Sequence, residues 1–547
     1  MGTGGFALAR RLALGLAVGL IVGLGSAAGP GARAQEVQAA LAAKLDGVGA
    51  IIVDGAPVRA LVSLRRFYAE RSGETAWNGA DAAVKLDGLL DAVAAAGTQG
   101  LNPADYHLER LRAAMARGDA LAVELLATDA FLTYGAHLLG GRLNPVSVEP
   151  DWTAARRERD LVAHLSAALD SGDIAGSLAA LEPDAPSYPV LKAALAEYSR
   201  AAKAGGWSAI PGGPKLELGV KGPRVAMLRQ RLELTGLLAP ADDGSADVFD
   251  QPVENAVADF QRRIGLEPDG VVGPMTLAQL NIPAEARVAQ IRANLERWRW
   301  LPQDLGPRHI RVNIADYRLE ARNNGRIERV HNVVVGRTAR KTPVFSEAMR
   351  YIVLNPWWET PPNLARQDKL PAFQKDPAQV QDLGFEVLDR SGSRVDPATI
   401  DWKALTRGNF PYRLRQRPGP LNALGQVKMM FPNPHNVYLH DTPSRELFRR
   451  NARAFSSGCV RVEDPLSLAA WALGENEGWD RARIDSVIGK GDETTVTLSR
   501  KLPVHILYFT AVVDTDGSLR LVADVYDRDA RLIAALDRPA PLSGAAN

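Results

Sequence analysis

One cysteine occurs in 547 residues. That excludes a disulfide scaffold and any cysteine-rich metal site. An excess of charge of either sign is also missing, with 65 Lys+Arg against 63 Asp+Glu and a net of +2. Such a balance gives no electrostatic reason to expect nucleic acid as a partner. Long apolar runs are scarce. Leu12 to Leu24 is uncharged over 13 residues, short of the ~20 a membrane span needs, and no later stretch is long and apolar enough to cross a bilayer. The histidines outside the segment of interest (His107, His137, His164, His309, His331, His435, His505) have no metal-ligand spacing, so no metal or other cofactor is expected. What is present is ordinary for globular protein, 46% apolar and 23% charged residues. Collagen-like and disordered classes are thereby excluded, and the length predicts three or four domains.

The first 34 residues carry three Arg and no acid. Arg10-Arg11 precede the apolar run, and Ala32-Arg33-Ala34 stand before Gln35. This is the layout of a secretory signal over residues 1–34, with an uncleaved N-terminal membrane anchor as the alternative. In an exported protein the lone Cys459 has no partner for an intramolecular bridge. Free cysteine is most often a buried small hydrophobe, and only its neighbours argue otherwise.

Residues 36–202 are rich in Ala and Leu with helical periodicity. Leu86, Leu89, Leu90 and Val93 follow the i, i+3, i+4, i+7 spacing, with Gly97 as the expected stop, and a second helix runs through Leu125, Leu126 and Leu132. This predicts a helical scaffold domain. Lys203 to Pro214 is rich in Gly and Pro and reads as a linker. Residues 215–281 predict a three-helix module, with Val225, Leu228 and Leu232 on one face, Val253, Val257, Phe260 and Ile264 on another, and Leu280 closing a third helix. From Arg308 the period becomes 2, through Val312, Ile314, Tyr317, Leu319 and Ala321, and Asn323-Asn324-Gly325 is a hairpin signal. Further strands are expected at Val333–Gly336, Arg350–Leu354 and Asn436–His440. A mainly β domain over 308–535 follows, interrupted at 361–425 by a Pro-, Lys-, Arg- and Asp-rich insertion of a length that is usually functional. His505 to Leu532 alternates around Asp516-Gly517 and is expected to add a final hairpin to the same domain. The fold class is multidomain α+β.

The chemistry gathers in Val437-Tyr438-Leu439-His440-Asp441-Thr442-Pro443 and Ala454-Phe455-Ser456-Ser457-Gly458-Cys459-Val460-Arg461-Val462. A thiol needs a base or a nearby positive charge to become a nucleophile. His440, nineteen residues before Cys459, can take its proton if the two strands are neighbours. Backbone N–H groups around Ser457, Gly458 and Cys459 suit an oxyanion, because glycine lets the backbone approach closely. Arg461 alternates with two valines and either binds a substrate carboxylate or pairs with Glu463 or Asp464. Tyr438 shares the strand face of His440 and either hydrogen-bonds in the site or packs. Of Trp357 and Trp358, one is expected in the core and one along the substrate groove. The group that orients His440 is left open between a backbone carbonyl near Asp441 and a side chain elsewhere.

The run His-Asp-Thr-Pro-Ser followed by Ser-Ser-Gly-Cys-Val-Arg-Val resembles the signature of the L,D-transpeptidase (YkuD-type) catalytic domain, and the domain order resembles the large YcbB-type members. Asn294 to Pro302, Thr342 to Ser346, Asn355 to Trp358 and His505 to Phe509 fit as well. The stretches Gly-Val-Lys-Gly-Pro-Arg-Val, Ala256 to Gln261 and Asp269 to Gly273 resemble a peptidoglycan-binding type 1 domain. One departure is Ser457, where many smaller members have His before the Gly-Cys pair. The resemblance implies Cys459 as nucleophile and His440 as base and acid. Beside them the residues themselves put Gly458 in the catalytic loop, with Arg461, Tyr438 and Ser457 expected toward substrate. It implies a lid-like role for 361–425, peptidoglycan stem peptides as partners, carbapenem-type inhibition, and a periplasmic, wall-associated place in the cell. The implied reaction is cross-linking with release of a terminal D-alanine. Alternatives are an L,D-carboxypeptidase, a transferase attaching a wall protein, or a non-catalytic peptidoglycan-binding scaffold.

Overall fold

The computed structural model describes residues 30–240, 244 and 246–539. The expected leader lies outside these, except that residues 30–34 begin the helix Pro30–Asp46. No helix among the described residues is long and apolar enough to cross a membrane.

The N-terminal helices surround Ala120–Gly140, which is mostly apolar and buried around its circumference, with Leu125, Leu126, Phe131 and Leu138 in the core beside the buried Glu124 and Asp129. Asp119 caps its start by accepting from the Ala122 N–H at 3.0 Å. In helix Ala82–Ala94, Leu86, Leu89 and Val93 are buried and Leu90 lies at the edge of the core. This helix does not stop at Gly97. It tightens into a 3₁₀ turn, Ala95–Gln99, and ends at Gly100, whose φ of 71° is the left-handed conformation that terminates helices.

The small module has helices Pro223–Leu234, Gln251–Arg263 and Pro274–Leu280, and the residues expected to face its core do so. The expected linker before it is pinned rather than loose. Trp207 Nε1 donates to the Ile282 carbonyl at 2.9 Å, and the buried Ile210 takes Asn281 Oδ1 on its N–H at 2.8 Å. Its Gly and Pro turn the backbone, while two apolar side chains anchor it.

The β domain is a single sheet of nine strands: β1 Arg308–Asn313, β2 Arg318–Asn323, β3 Arg326–Gly336, β4 Phe345–Leu354, β5 Val427–Met430, β6 Leu439–His440, β7 Ala454–Ser456, β8 Val460–Val462 and β9 Thr494–Leu507. Their order is β7-β3-β8-β6-β5-β4-β9-β1-β2, and β2 pairs back onto β3, so eight strands close on themselves. The β2–β3 hairpin turns at Asn324 and Gly325, with φ of 47° and 78°, as a primed turn requires. Three strands of the insertion and the Trp358–Glu359 strand just before it form a second sheet, with Trp358–Glu359, Arg413–Gln416, Phe385–Leu388 and Arg394–Val395 side by side. Phe373, Phe385 and Trp402 give it a core of its own.

The C-terminal stretch differs from expectation. Ala511–Val513 and Leu519–Leu521 pair only with each other, outside the large sheet. Ala511 and Leu521 pack on Leu191, Leu195, Ile291 and Leu295 of two helices, and Arg528–Leu536 is helical. An alternating pattern specifies one apolar face but not which surface covers it. The helix Ala284–Trp300 is the junction on which these parts meet, and its buried polar residues include an ion pair, Arg299–Glu296 at 2.7 Å, with neither side chain exposed.

Candidate active site

β6 and β8 are parallel neighbours, with Leu439 opposite Val460 and His440 opposite Arg461. Leu439, Val460 and Val462 are fully buried in the sheet's apolar core. Strand alternation therefore puts Tyr438, His440, Cys459 and Arg461 on the other face. His440 stands opposite Arg461, so Cys459 is its diagonal neighbour, two residues out of register. The rings of Tyr438 and His440 meet edge-on with centroids 5.6 Å apart. The structure thus brings four of the sequence-predicted residues to one face, and it does so with parallel strands.

Cys459 is half-buried, and its thiol points at the Asn436 carbonyl, 3.7 Å away. Burial raises its pKa, although hydrogen bonding with Tyr438 and the Arg461 charge pull the other way. The resting group is a thiol that needs a base. Burial, with help from the Arg461 charge, lowers the His440 pKa to about 3, so the imidazole is neutral and able to accept a proton. Its Nδ1 lies 2.5 Å from the Asp441 carbonyl. A carbonyl only accepts, so Nδ1 carries the hydrogen and Nε2 keeps its lone pair. Of the two sources left open for the orienting group, the backbone carbonyl is the one found.

Asp441 fixes that carbonyl. Its Oδ2 accepts from the Gln426 N–H at 2.8 Å, Oδ1 accepts from the Thr442 N–H at 2.6 Å, and Arg445 pairs with Oδ1. Gly425 lies against this carboxylate, where any Cβ would overlap it.

The loop before Cys459 is held from both sides. Ser456 Oγ donates to the Cys459 carbonyl at 2.5 Å and accepts the Gly458 N–H at 3.1 Å. Thr342 Oγ1 donates to the Gly458 carbonyl at 2.8 Å and accepts the Gly336 N–H at 2.9 Å. Gly458 has a φ of 121°, which side chains rarely adopt. Its N–H is therefore engaged by Ser456. Among the described residues, the Ser457 and Cys459 N–H groups have no such partner, so two of the three donors expected for an oxyanion face no competitor.

Arg461 is half-buried, its Nε has no hydrogen-bond partner, and it pairs with neither Glu463 nor Asp464 among the described residues. Glu463 instead accepts from Asn332 at 2.8 Å, and Asp464 caps the next helix through the Ser467 N–H at 3.3 Å. Trp358 belongs to the insertion's core, whereas Trp357 is half-buried under the Arg415 guanidinium, 4.5 Å from its ring.

Sequence reasoning missed Arg340. Its Nη1 donates to Ser457 Oγ at 3.0 Å and to Asp368 Oδ2 at 2.7 Å, and its Nη2 donates to Gln367 Oε1 at 2.6 Å. It ties the insertion to the loop beside the thiol. Nothing in its surroundings, Thr338 to Lys341, marks it. Gln367 and Asp368 sit in a π-helical turn, Ala365–Lys369, whose distortion no periodicity announces. No group of three or more His, Cys, Asp or Glu among the described residues could hold a metal ion.

Three stretches match known families: residues 307–506 the L,D-transpeptidase catalytic domain (YkuD), residues 221–280 the "Putative peptidoglycan binding domain", and residues 62–195 the scaffold domain. A Haemophilus influenzae protein named "Putative L,D-transpeptidase" is 36% identical over 249 residues, which are 45% of this chain and 50% of that protein. The match thus spans half the length of that relative. Among solved structures, the L,D-transpeptidase of Xylanimonas cellulosilytica is 16% identical, with 54% of this chain and 99% of that one covered and a TM-score of 0.17. The Ldtfm–avibactam carbamoyl enzyme is 11% identical, with 58% and 98% covered and a TM-score of 0.16. The chain carries an L,D-transpeptidase catalytic domain joined to a peptidoglycan-binding domain.

Proposed function

We propose that this chain is an exported, wall-associated L,D-transpeptidase that cross-links peptidoglycan stem peptides through a thioester on Cys459. The observation that carries this reading is a half-buried thiol sharing one sheet face with a neutral His440 whose Nδ1 is spoken for by the Asp441 carbonyl.

His440 Nε2 takes the thiol proton as sulfur attacks the carbonyl of the third stem residue. The oxyanion is met by the free N–H groups of Ser457 and Cys459. The carbon–nitrogen bond to the terminal D-alanine breaks, and His440 returns the proton to that amine. An amine of a second stem then attacks the thioester, His440 takes its proton, and the thiolate leaves and is reprotonated. Arg461 supplies a guanidinium with unfilled donors for a substrate carboxylate. The insertion, held by Arg340 against Ser457, favours an amine over water by covering the acyl group.

Intact-protein mass spectrometry after exposure to a carbapenem tests the assignment. The unmodified chain gains one adduct and Cys459→Ala gains none. An adduct that survives in the variant overturns it.

A further inference from the structure

A cavity of about 210 Å³ lies where the peptidoglycan-binding module, the helix Ser187–Lys203 and the C-terminal hairpin meet. Its apolar wall comes from all three: Leu237 and Phe260 of the module, Ala194 of the helix, Leu519 and Leu521 of the hairpin. Two guanidiniums line it from below. Arg231 is 4% exposed and Arg287 is 3% exposed. Neither forms an ion pair among the described residues. Arg231 donates only through Nε, to the Leu280 carbonyl at 3.1 Å, while its Nη1 is buried without a hydrogen-bond partner. Its guanidinium carbon lies 3.2 Å from the centre of the Trp207 ring. Arg287 is held by neutral groups alone: its Nη1 donates to Gln290 Oε1 at 2.9 Å, and its Nη2 to both the carbonyl and Oε1 of Gln279 at 3.1 Å.

Burying a cation without an anion is costly, and proteins normally supply a carboxylate. Here burial works against both charges. Burial, chiefly, and the Arg287 charge lower the Arg231 pKa to about 9, and burial lowers that of Arg287 to about 10. The rim adds one more cation, the exposed Arg263, and one carboxylate, the exposed Glu197. The charged lining is therefore three arginines against one acid. The Tyr198 hydroxyl is a further polar group on the wall.

We propose that this cavity is a second ligand site, separate from Cys459, that takes the carboxylate end of a short peptide with small apolar side chains. The guanidiniums recognise the carboxylate, and the aliphatic wall accepts the methyl-sized groups beside it. The volume falls below the roughly 300–1,000 Å³ of a drug-sized site, which suits one or two terminal residues and not a glycan strand. An occupant would touch all three parts of the chain, so binding there would stiffen the module against the body of the protein.

Calorimetric titration of the full chain with N-acetyl-D-alanyl-D-alanine, with its C-terminal amide, and with inorganic phosphate tests this. The acid is expected to bind, and the amide at least about tenfold more weakly, as loss of a charge-assisted contact implies. Phosphate, lacking the apolar part, is expected to bind more weakly than the acid. Arg231→Gln should weaken the acid by about tenfold. Because Arg231 also supports the module's fold, Arg263→Glu on the exposed rim is the companion variant, and it should weaken the acid severalfold. Equal affinity for acid and amide, phosphate binding as tightly as the acid, no binding at all, or binding that Arg263→Glu leaves unchanged overturns the proposal. None of these outcomes bears on the carbapenem adduct at Cys459, so the two readings fail separately.

Discussion

Arg299 and Arg461 are both drawn out of bulk water, and the molecule treats them in opposite ways. Arg299, fully buried in the junction helix, donates to Glu296, to the Gln99 carbonyl at 2.9 Å and to the Tyr188 hydroxyl at 2.9 Å. Although burial opposes its charge, these partners raise its pKa overall. Arg461 has no such shell, and burial lowers its pKa, with only Cys459 in its thiolate form and the Glu446 charge working against the shift. A saturated arginine holds elements together. Arg461 keeps a buried Nε with no partner among the described residues.

The sharpest way to break this contrast is at the thiol face. His440→Ala should lower the rate of carbapenem acylation by about 10²–10⁴-fold, the usual worth of a positioned base, while thermal unfolding changes little. Stopped-flow fluorescence reads the rate, and unchanged acylation would remove His440 from the mechanism. At the junction the effect moves from rate to stability. Glu296→Ala leaves Arg299 charged and buried, and should cost about 3–5 kcal/mol, seen in urea unfolding, with acylation per folded molecule unaltered.

Acid sharpens the comparison further. His309 and His440 are buried, and burial lowers their pKa values to about 4 and about 3. The unfolded chain then binds more protons than the folded one below about pH 6.5, so stability falls as pH drops through that value toward 4. Each imidazole should remove about 2 kcal/mol by pH 5. Urea titrations at pH 7 and pH 5 measure the loss, and His440→Gln should recover its share. The smallest effect is expected at the tie between insertion and loop. Arg340→Ala breaks partly exposed contacts, each worth about 1 kcal/mol or less. It should slow acylation about two- to fivefold and speed proteolysis within 361–425.

The thiol, its imidazole and the face they share were legible because strand alternation and a Ser-Ser-Gly-Cys turn leave marks in a single short segment. The helical faces of the N-terminal part and of the small module were legible for the same reason, as with Leu86, Leu89 and Val93. Arg340, Asp368 and Gly425 were not. They act on residues tens of positions away, and no local pattern encodes such a meeting. The C-terminal hairpin was legible as two strands, but not the surface it packs on, because Leu519 and Leu521 need only an apolar surface, and two helices provide it. The orienting group of His440 was hidden differently: a backbone carbonyl belongs to every residue and so has no signature.

The return of β2 onto β3 has one more consequence. Eight of the nine strands have neighbours on both sides, and among the described residues the ring's outer attachment is the three-residue β7. Open sheet edges are where unrelated chains add themselves and begin to aggregate. A ring offers almost no such template, so among the described residues the open edges of this domain lie mainly in the insertion's four-stranded sheet, away from the strands that carry His440 and Cys459.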